Sequence, residues 1–243
     1  MAVLEEGKRQ GRPTLAITND GASPLAATAD HVIELHAGIE RSVAATKTYT
    51  AQLTVMAMLA AALGSTPGRQ AELAGLPAAL DATLAGTGGV AELAGRYAAN
   101  EQYVLIGRGF NFATALELSL KLKELTYVMT VAYSSADFRH GPIATVGAGT
   151  PVLLVAPRGA TADDLGEMAR DLHDRGADLL VISDAPEVGA GISELLPIAG
   201  GLPEWLSPIA AIVPGQMLAL HLALARGGDP DRPRGLHKIT LTR

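Results

Sequence analysis

Arg175-Gly176-Ala177-Asp178-Leu179-Leu180-Val181-Ile182-Ser183-Asp184 is the stretch on which the reading of the fold turns. A glycine follows a helix, an unbroken apolar run follows the glycine, and an aspartate stops it. That is the pattern of a strand buried on both faces of a parallel sheet. The stretch has a counterpart in Gln10-Gly11-Arg12-Pro13-Thr14-Leu15-Ala16-Ile17-Thr18-Asn19, at an offset of 176 − 11 = 165. Further on, Pro214-Gly215-Gln216-Met217 matches Thr50-Ala51-Gln52-Leu53, at 216 − 52 = 164. Both of these lie in long apolar helices that follow an acidic residue, Glu204 and Glu40. A near-constant offset across helix, strand and helix reads as two related halves.

Working outward, short β-branched runs alternate with Ala/Leu-rich helical stretches. Strands are expected at Thr14–Thr18, His31–Leu35, Tyr103–Gly107, Thr130–Tyr133, Pro151–Ala156, Asp178–Ser183 and Leu195–Ile198. Helices are expected at Val43–Leu63, Phe110–Tyr127, Ala162–Arg175 and Leu206–Arg226. The alternation predicts an α/β fold: two flavodoxin-like units with parallel sheets flanked by helices. Residues 1–63 form the first unit, 64–97 a helical connection, and 98–243 the second unit with its tail. Everything from Tyr103 to Arg175 precedes Gly176, whereas ten residues precede Gly11. The first unit is therefore expected to be incomplete, without the opening of its sheet.

Composition excludes several classes of function. The net charge is −6 and no basic run stands out, which argues against a nucleic-acid partner. There is no cysteine, hence no disulfide, thiolate nucleophile or Cys-ligated metal. The six histidines show no metal-ligand spacing. Met1-Ala2-Val3-Leu4-Glu5-Glu6 does not read as a signal peptide. The longest unbroken apolar run, Val55 to Leu63, is too short to cross a bilayer. A cytoplasmic protein without a membrane partner is the expectation.

Four stretches could carry chemistry. In Ala115-Leu116-Glu117-Leu118-Ser119-Leu120-Lys121-Leu122-Lys123-Glu124-Leu125, helix formers dominate and no residue is β-branched. Wound as a helix, Glu117, Lys121 and Glu124 share one face at i, i+4 and i+7. Taken alone, this reads most simply as a salt-bridged surface helix. His140-Gly141-Pro142 reads as a histidine held on a turn after a strand end, a usual place for a ligand group and equally for a structural one. Glu40-Arg41-Ser42-Val43-Ala44-Ala45-Thr46-Lys47 places small residues at a helix entry, where backbone N–H groups could face an anion or simply be capped. The tail Asp229-Pro230-Asp231-Arg232-Pro233-Arg234-Gly235-Leu236-His237-Lys238 reads as an irregular arm. Gly107-Arg108-Gly109 lacks the third glycine of a dinucleotide fingerprint.

Together, in this order, these stretches resemble the sugar isomerase (SIS) domain family, as paired in the isomerase half of glutamine–fructose-6-phosphate amidotransferases and in stand-alone amino-sugar-phosphate deaminases and isomerases. The resemblance covers essentially the whole chain. It implies that Glu124 is the general base moving a proton between C1 and C2 of an open-chain sugar. Lys121 would contact the sugar or tune that carboxylate, with Glu117 on the same face at the substrate. His140 would open the sugar ring in the neighbouring subunit of a homodimer. Lys238 would contact the sugar and form an imine with a ketose. Val43 and Ala45 would make backbone contacts to substrate, with Ala45 in place of a serine often found there. A carboxylate base, a ring-opening group and a cation suffice for aldose–ketose isomerisation, so neither a metal nor an organic cofactor is implied.

The family's phosphate-binding loop lies upstream of the helix that ends at Gly11, so the chain is expected to have no phosphate-binding residues of its own. The implied partner is a small-molecule sugar phosphate, and the implied reaction is isomerisation or deamination of hexosamine 6-phosphates. A non-catalytic sugar-phosphate-binding module and an inactive fragment are the alternatives. An incomplete parallel sheet leaves backbone groups unpaired, so the isolated chain is expected to be poorly stable or to aggregate. A monodisperse preparation with a cooperative thermal melt would overturn this expectation.

Overall fold

The computed structural model describes residues 1–236. Along these the elements run α1 (Ala2–Arg9), β1 (Leu15–Thr18), α2 (Pro24–Thr28), β2 (His31–Glu34) and α3 (Lys47–Leu63). Three shorter helices follow: α4 (Arg69–Ala74), α5 (Leu76–Ala85) and α6 (Val90–Tyr97). Then come β3 (Gln102–Gly107), α7 (Asn111–Thr126), β4 (Met129–Ser134), α8 (Ser135–Arg139), β5 (Pro151–Val155) and α9 (Ala162–Asp174). The chain continues through β6 (Asp178–Ser183), β7 (Glu194–Pro197) and α10 (Ser207–Ala225). Each strand expected from the sequence forms within a residue or two of its expected bounds.

Strands β3 to β7 make one all-parallel sheet in the order β4-β3-β5-β6-β7. The period of two along each strand splits the core between its faces. Tyr103, Leu105, Leu153, Val155, Leu180 and Ile182 point to one side, where α6, α7 and α10 cover them. Val104, Ile106, Val152, Leu154, Leu179 and Val181 point to the other, against Phe138 of α8 and Leu165, Met168 and Leu172 of α9. Two covered faces are why these strands carry no polar alternation. Strands β1 and β2 form a separate parallel pair, with Leu15 opposite His31 and Thr18 opposite Glu34.

The stretch 64–97 is helical throughout except for its Gly/Pro breaks, and its last helix works inside the second unit. Val90, Leu93, Ala94 and Tyr97 of α6 belong to the core beneath α10. The Tyr97 hydroxyl donates to Asp178 at 2.6 Å, and the Tyr103 hydroxyl donates to the Tyr97 carbonyl at 2.7 Å. The stretch Glu204–Ala225 has a mean hydropathy of 1.6 and is long and apolar enough to cross a membrane. Its apolarity has another use here: every residue from Ser207 to Gly215 is buried, among the sheet, α6 and α7 on one side and, at Ile209, α3 and α5 on the other.

Helix α10 crosses α7 at a glycine. A Cβ on Gly215 would overlap both methyl groups of Leu118, which is itself fully buried. Gly107 is constrained in the same way at the end of β3, where a Cβ would strike the backbone of Asn111 in the first turn of α7. Overpacking at such a contact costs about 1–3 kcal/mol. We therefore expect Gly215→Ala to lower the free energy of unfolding by about that amount, read as a lower urea midpoint at unchanged slope. An unchanged midpoint would show that the two helices can part without loss.

Candidate active site

Helix α7 carries a buried ion-pair cluster. Lys121 is 3% exposed. Its Nζ donates to Glu124 Oε2 at 2.5 Å and lies 3.5 Å from Glu117 Oε1. The two carboxylates keep 24% and 14% of their side-chain surface. The surface-helix reading therefore fails: the spacing is as expected, but the face points inward. Leu118 and Leu122 hold one side of α7 against α10 and the sheet, which presses the Lys121 row into the protein. Burial pushes the Glu117 carboxyl up, and Lys121 draws it back only in part. Tyr49 of α3 packs against the same core. Burial, with the Glu117 charge adding to it, pushes its hydroxyl up to about 12. Nothing in the local sequence ties Tyr49 to α7; the packing of the two units brings them together.

The loop 37–46 of the first unit holds Val43 and Ala45, both half-buried, on either side of the buried Ala44. Glu40 organises this loop. Its Oε1 accepts the N–H groups of Thr46 at 2.9 Å, Lys47 at 2.6 Å and Thr48 at 3.4 Å, and its Oε2 accepts the Thr48 hydroxyl. The free N–H groups at the start of α3 thus receive an anion supplied by the protein itself, and the helix begins at Lys47 rather than Val43. Burial pushes the Glu40 carboxyl up, but these hydrogen bonds outweigh it and hold the group below the usual carboxylate range.

The tail crosses from one unit to the other. Ser42 Oγ donates to the Pro230 carbonyl at 2.8 Å. The Arg234 guanidinium stacks over the Tyr127 ring at 4.6 Å, and the backbone N–H of Arg234 donates to the Tyr127 hydroxyl at 2.5 Å. Tyr127 ends α7 with φ of 62°, in the left-handed region where a bulky residue is rare. It stands three residues after Glu124, so the tail is fastened beside the cluster. A cavity of about 530 Å³ opens between the loop, the tail, α3, α5 and α10, lined by Ser42, Lys47, Leu84, Gln216 and Asp231 among others, with Leu125 as its one residue from α7. Its wall is mostly apolar and includes none of the three cluster residues. Lys238 lies outside the described residues.

His140 is not brought to the cluster within one protomer. A short helix, α8, separates it from the end of β4, so it does not follow the strand directly. It is exposed, and α8 packs by Phe138 on the face of the sheet opposite α7. Arg108, after β3, donates to Ser135 at 3.2 Å and to Asp164 at 3.3 Å, and Ser135 donates to Asp164 at 2.5 Å. The carboxyl ends of β3 and β4 are thus closed by internal bonds. Among the described residues no cluster could hold a metal ion.

The second unit is thus a doubly wound parallel sheet with a buried Glu-Lys-Glu row on its first crossover helix. The SIS domain model matches residues 1–62 and 97–191, and the chain belongs to that family. It is 37% identical over 247 aligned positions to the glutamine–fructose-6-phosphate aminotransferase (isomerizing) of Thermococcus kodakarensis, a match spanning 98% of this chain and 41% of that relative. Among solved structures, the C-terminal domain of glucosamine-fructose-6-phosphate aminotransferase from Francisella tularensis superposes with a TM-score of 0.85 at 28% identity, covering 95% of this chain and 68% of that one. A glucosamine-6-phosphate deaminase from Thermotoga maritima gives 0.71 at 26% identity, covering 95% and 67%. The chain thus spans about two fifths of the length of the curated relative.

The burial of Glu117 sets a pH dependence. Its folded pKa lies above the usual value. Protonated Glu117 therefore favours folding at pH below the ordinary carboxylate range, and that contribution is lost as pH rises through the raised pKa. Glu117→Gln should be close to wild type in urea stability at pH 4 and more stable than wild type at pH 7. Equal effects at both pH values would show that Lys121 fully offsets the burial.

Proposed function

We propose that this chain carries the proton-transfer machinery of an aldose–ketose isomerase or deaminase acting on hexosamine 6-phosphates, with Glu124 as the base. The observation that carries the reading is Lys121, a nearly buried ammonium bonded to Glu124 and flanked by Glu117. A lysine in this position holds the Glu124 carboxylate oriented, as a base at C1–C2 requires. When the substrate's oxygen develops negative charge in an enediolate, the same ammonium can shift its hydrogen bonds towards it. Glu117 keeps Lys121 in place as Glu124 takes up the proton.

The loop at Val43 and Ala45 supplies backbone groups towards the substrate, held rigid by Glu40. His140 opens the sugar ring in the site of a neighbouring subunit; its place on the far face of the sheet supports a role outside its own protomer. Lys238 continues the tail that Tyr127 and Arg234 fasten beside the cluster, and serves as the amine that meets the ketose carbonyl. Relatives named as isomerising fructose-6-phosphate aminotransferase and glucosamine-6-phosphate deaminase support the substrate class.

Exchange of a C1 proton of fructose 6-phosphate and of the C2 proton of glucosamine 6-phosphate with deuterated water, followed by NMR, tests the reading. We expect exchange by the wild-type chain and a loss of about 10²–10⁴-fold in Glu124→Gln. Exchange that survives this substitution would remove Glu124 as the base. Binding of both sugar phosphates with no exchange would favour a non-catalytic sugar-phosphate-binding module.

A further inference from the structure

We infer that Asp164 is a positioning residue for His140: bonded at both ends of α8, it sets where the His140 ring stands. The inference rests on the reading of His140 as the ring-opening group, and adds the residue through which that group is held.

His140 does not place itself. It is exposed, and its side chain makes no hydrogen bond or ion pair among the described residues. The ring therefore stands where its backbone puts it. That backbone joins the end of α8 to Gly141, whose φ of 129° lies in the region that favours glycine. The His140 N–H donates back into the helix, to the Asp137 carbonyl at 3.1 Å. With five residues, α8 is far too short to be stable through its own hydrogen bonds. What fixes α8 fixes His140.

Three anchors hold α8, and two of them meet at Asp164. Phe138 is fully buried, with its ring 5.2 Å from that of Tyr133. Ser135, the first residue of the helix, is also fully buried and donates to Asp164 Oδ2 at 2.5 Å. Arg139, the last, donates to the Asp164 carbonyl at 3.3 Å and lies 3.7 Å from Asp164 Oδ1. It also donates to Asp171 at 2.6 Å. Arg108, after β3, brings a second guanidinium to Asp164 Oδ2 at 3.3 Å. A buried hydroxyl at one end and a cation at the other leave α8 little freedom to turn about Phe138.

The carboxylate of Asp164 serves α8 rather than its own helix. Asp164 is the third residue of α9, where an acidic side chain can reach back to the N-cap. Thr161 at that N-cap has no side-chain bond, and Asp164 turns across to α8 instead. Its side chain keeps 32% of its surface, as does that of Arg139. Ion pairs so open to water add little to the stability of a whole domain. Their effect here is local, on the orientation of one short helix at the carboxyl end of β4.

The test compares two sugars in deuterated water, with NMR as the readout. The ring of fructose 6-phosphate must open before its C1 proton can exchange. In 5-deoxyfructose 6-phosphate no hydroxyl is left to close a ring onto C2, so no opening is needed. A misplacement of about 1 Å at a reacting group can cost about 10²-fold. We expect Asp164→Ala to slow exchange of fructose 6-phosphate about tenfold or more, with the open-chain sugar within about twofold of wild type. Arg139→Ala should give the same pattern, and Arg139→Lys, which keeps the cation, a smaller loss. Amide hydrogen exchange at His140 should speed about threefold or more in Asp164→Ala, while β5 and β6 stay as protected as in the wild type. Equal losses with both sugars, an unchanged amide rate at His140, or faster exchange throughout β5 and β6 would each overturn the inference. Wild-type exchange of the open-chain sugar alone would instead remove His140 as the ring-opening group. Exchange of neither sugar by the wild type would remove the proton transfer assigned to Glu124. Both of these results withdraw the role of Asp164 in ring opening.

Discussion

Both faces of the five-stranded parallel sheet must be kept from water, and the rest of the molecule is arranged around that requirement. None of β3, β5 and β6 has a polar face to spare, so each side needs a layer of helices. On one side α8 and α9 supply it. On the other, α6, α7 and α10 crowd together, with α10 so apolar that it buries nine consecutive residues, Ser207 to Gly215. The close crossing at Gly215 and Leu118 then fixes how α7 is rotated about its own axis. That rotation turns Lys121 inward between two carboxylates. The same burial that completes the core therefore creates the charged row.

A buried ammonium is costly unless it is paired, and pairing it with two carboxylates leaves a negative excess. Glu117 and Glu124 resolve the excess differently. Glu117 is the deeper of the two, and its carboxyl is pushed up by burial. Glu124 is more open and makes the short bond to Lys121. The two carboxylates on one lysine therefore stand in unequal surroundings. The first unit meets this side of the protein through Tyr49, and its loop is joined to the tail by the bond of Ser42 to Pro230. Glu40 also shows why helix entry residues alone are a weak sign of a ligand site. Here the anion at the helix start is the protein's own.

The first unit contrasts with the second in how its strands are protected. Its pair of strands is bonded in the same sense as β6 and β7, yet the flanking α1 buries nothing. The second unit has covering helices on both faces and strand partners on both sides of β3, β5 and β6. The family model matches both units, at residues 1–62 and 97–191, and the strands paired on both sides lie in the second.

The strands were legible in the sequence because a buried parallel strand is a local signal: an apolar run of β-branched residues and leucines between turn residues. Helix type at Ala115–Leu125 was legible from composition, and the shared face of Glu117, Lys121 and Glu124 from helical spacing. Whether that face met water was not legible, since it depends on α10, nearly a hundred residues away. The start of α3 was misplaced for a similar reason. Residues 43 to 46 could extend the helix, but a carboxylate across the loop captures the N–H groups that follow them. The side of the sheet on which His140 lies, the approach of Tyr49 and the fastening of the tail by Tyr127 were decided only in three dimensions. Spacing along the chain determines which residues share a helix face. Which side of the sheet a helix covers, and what it meets there, is set by packing between segments distant in sequence.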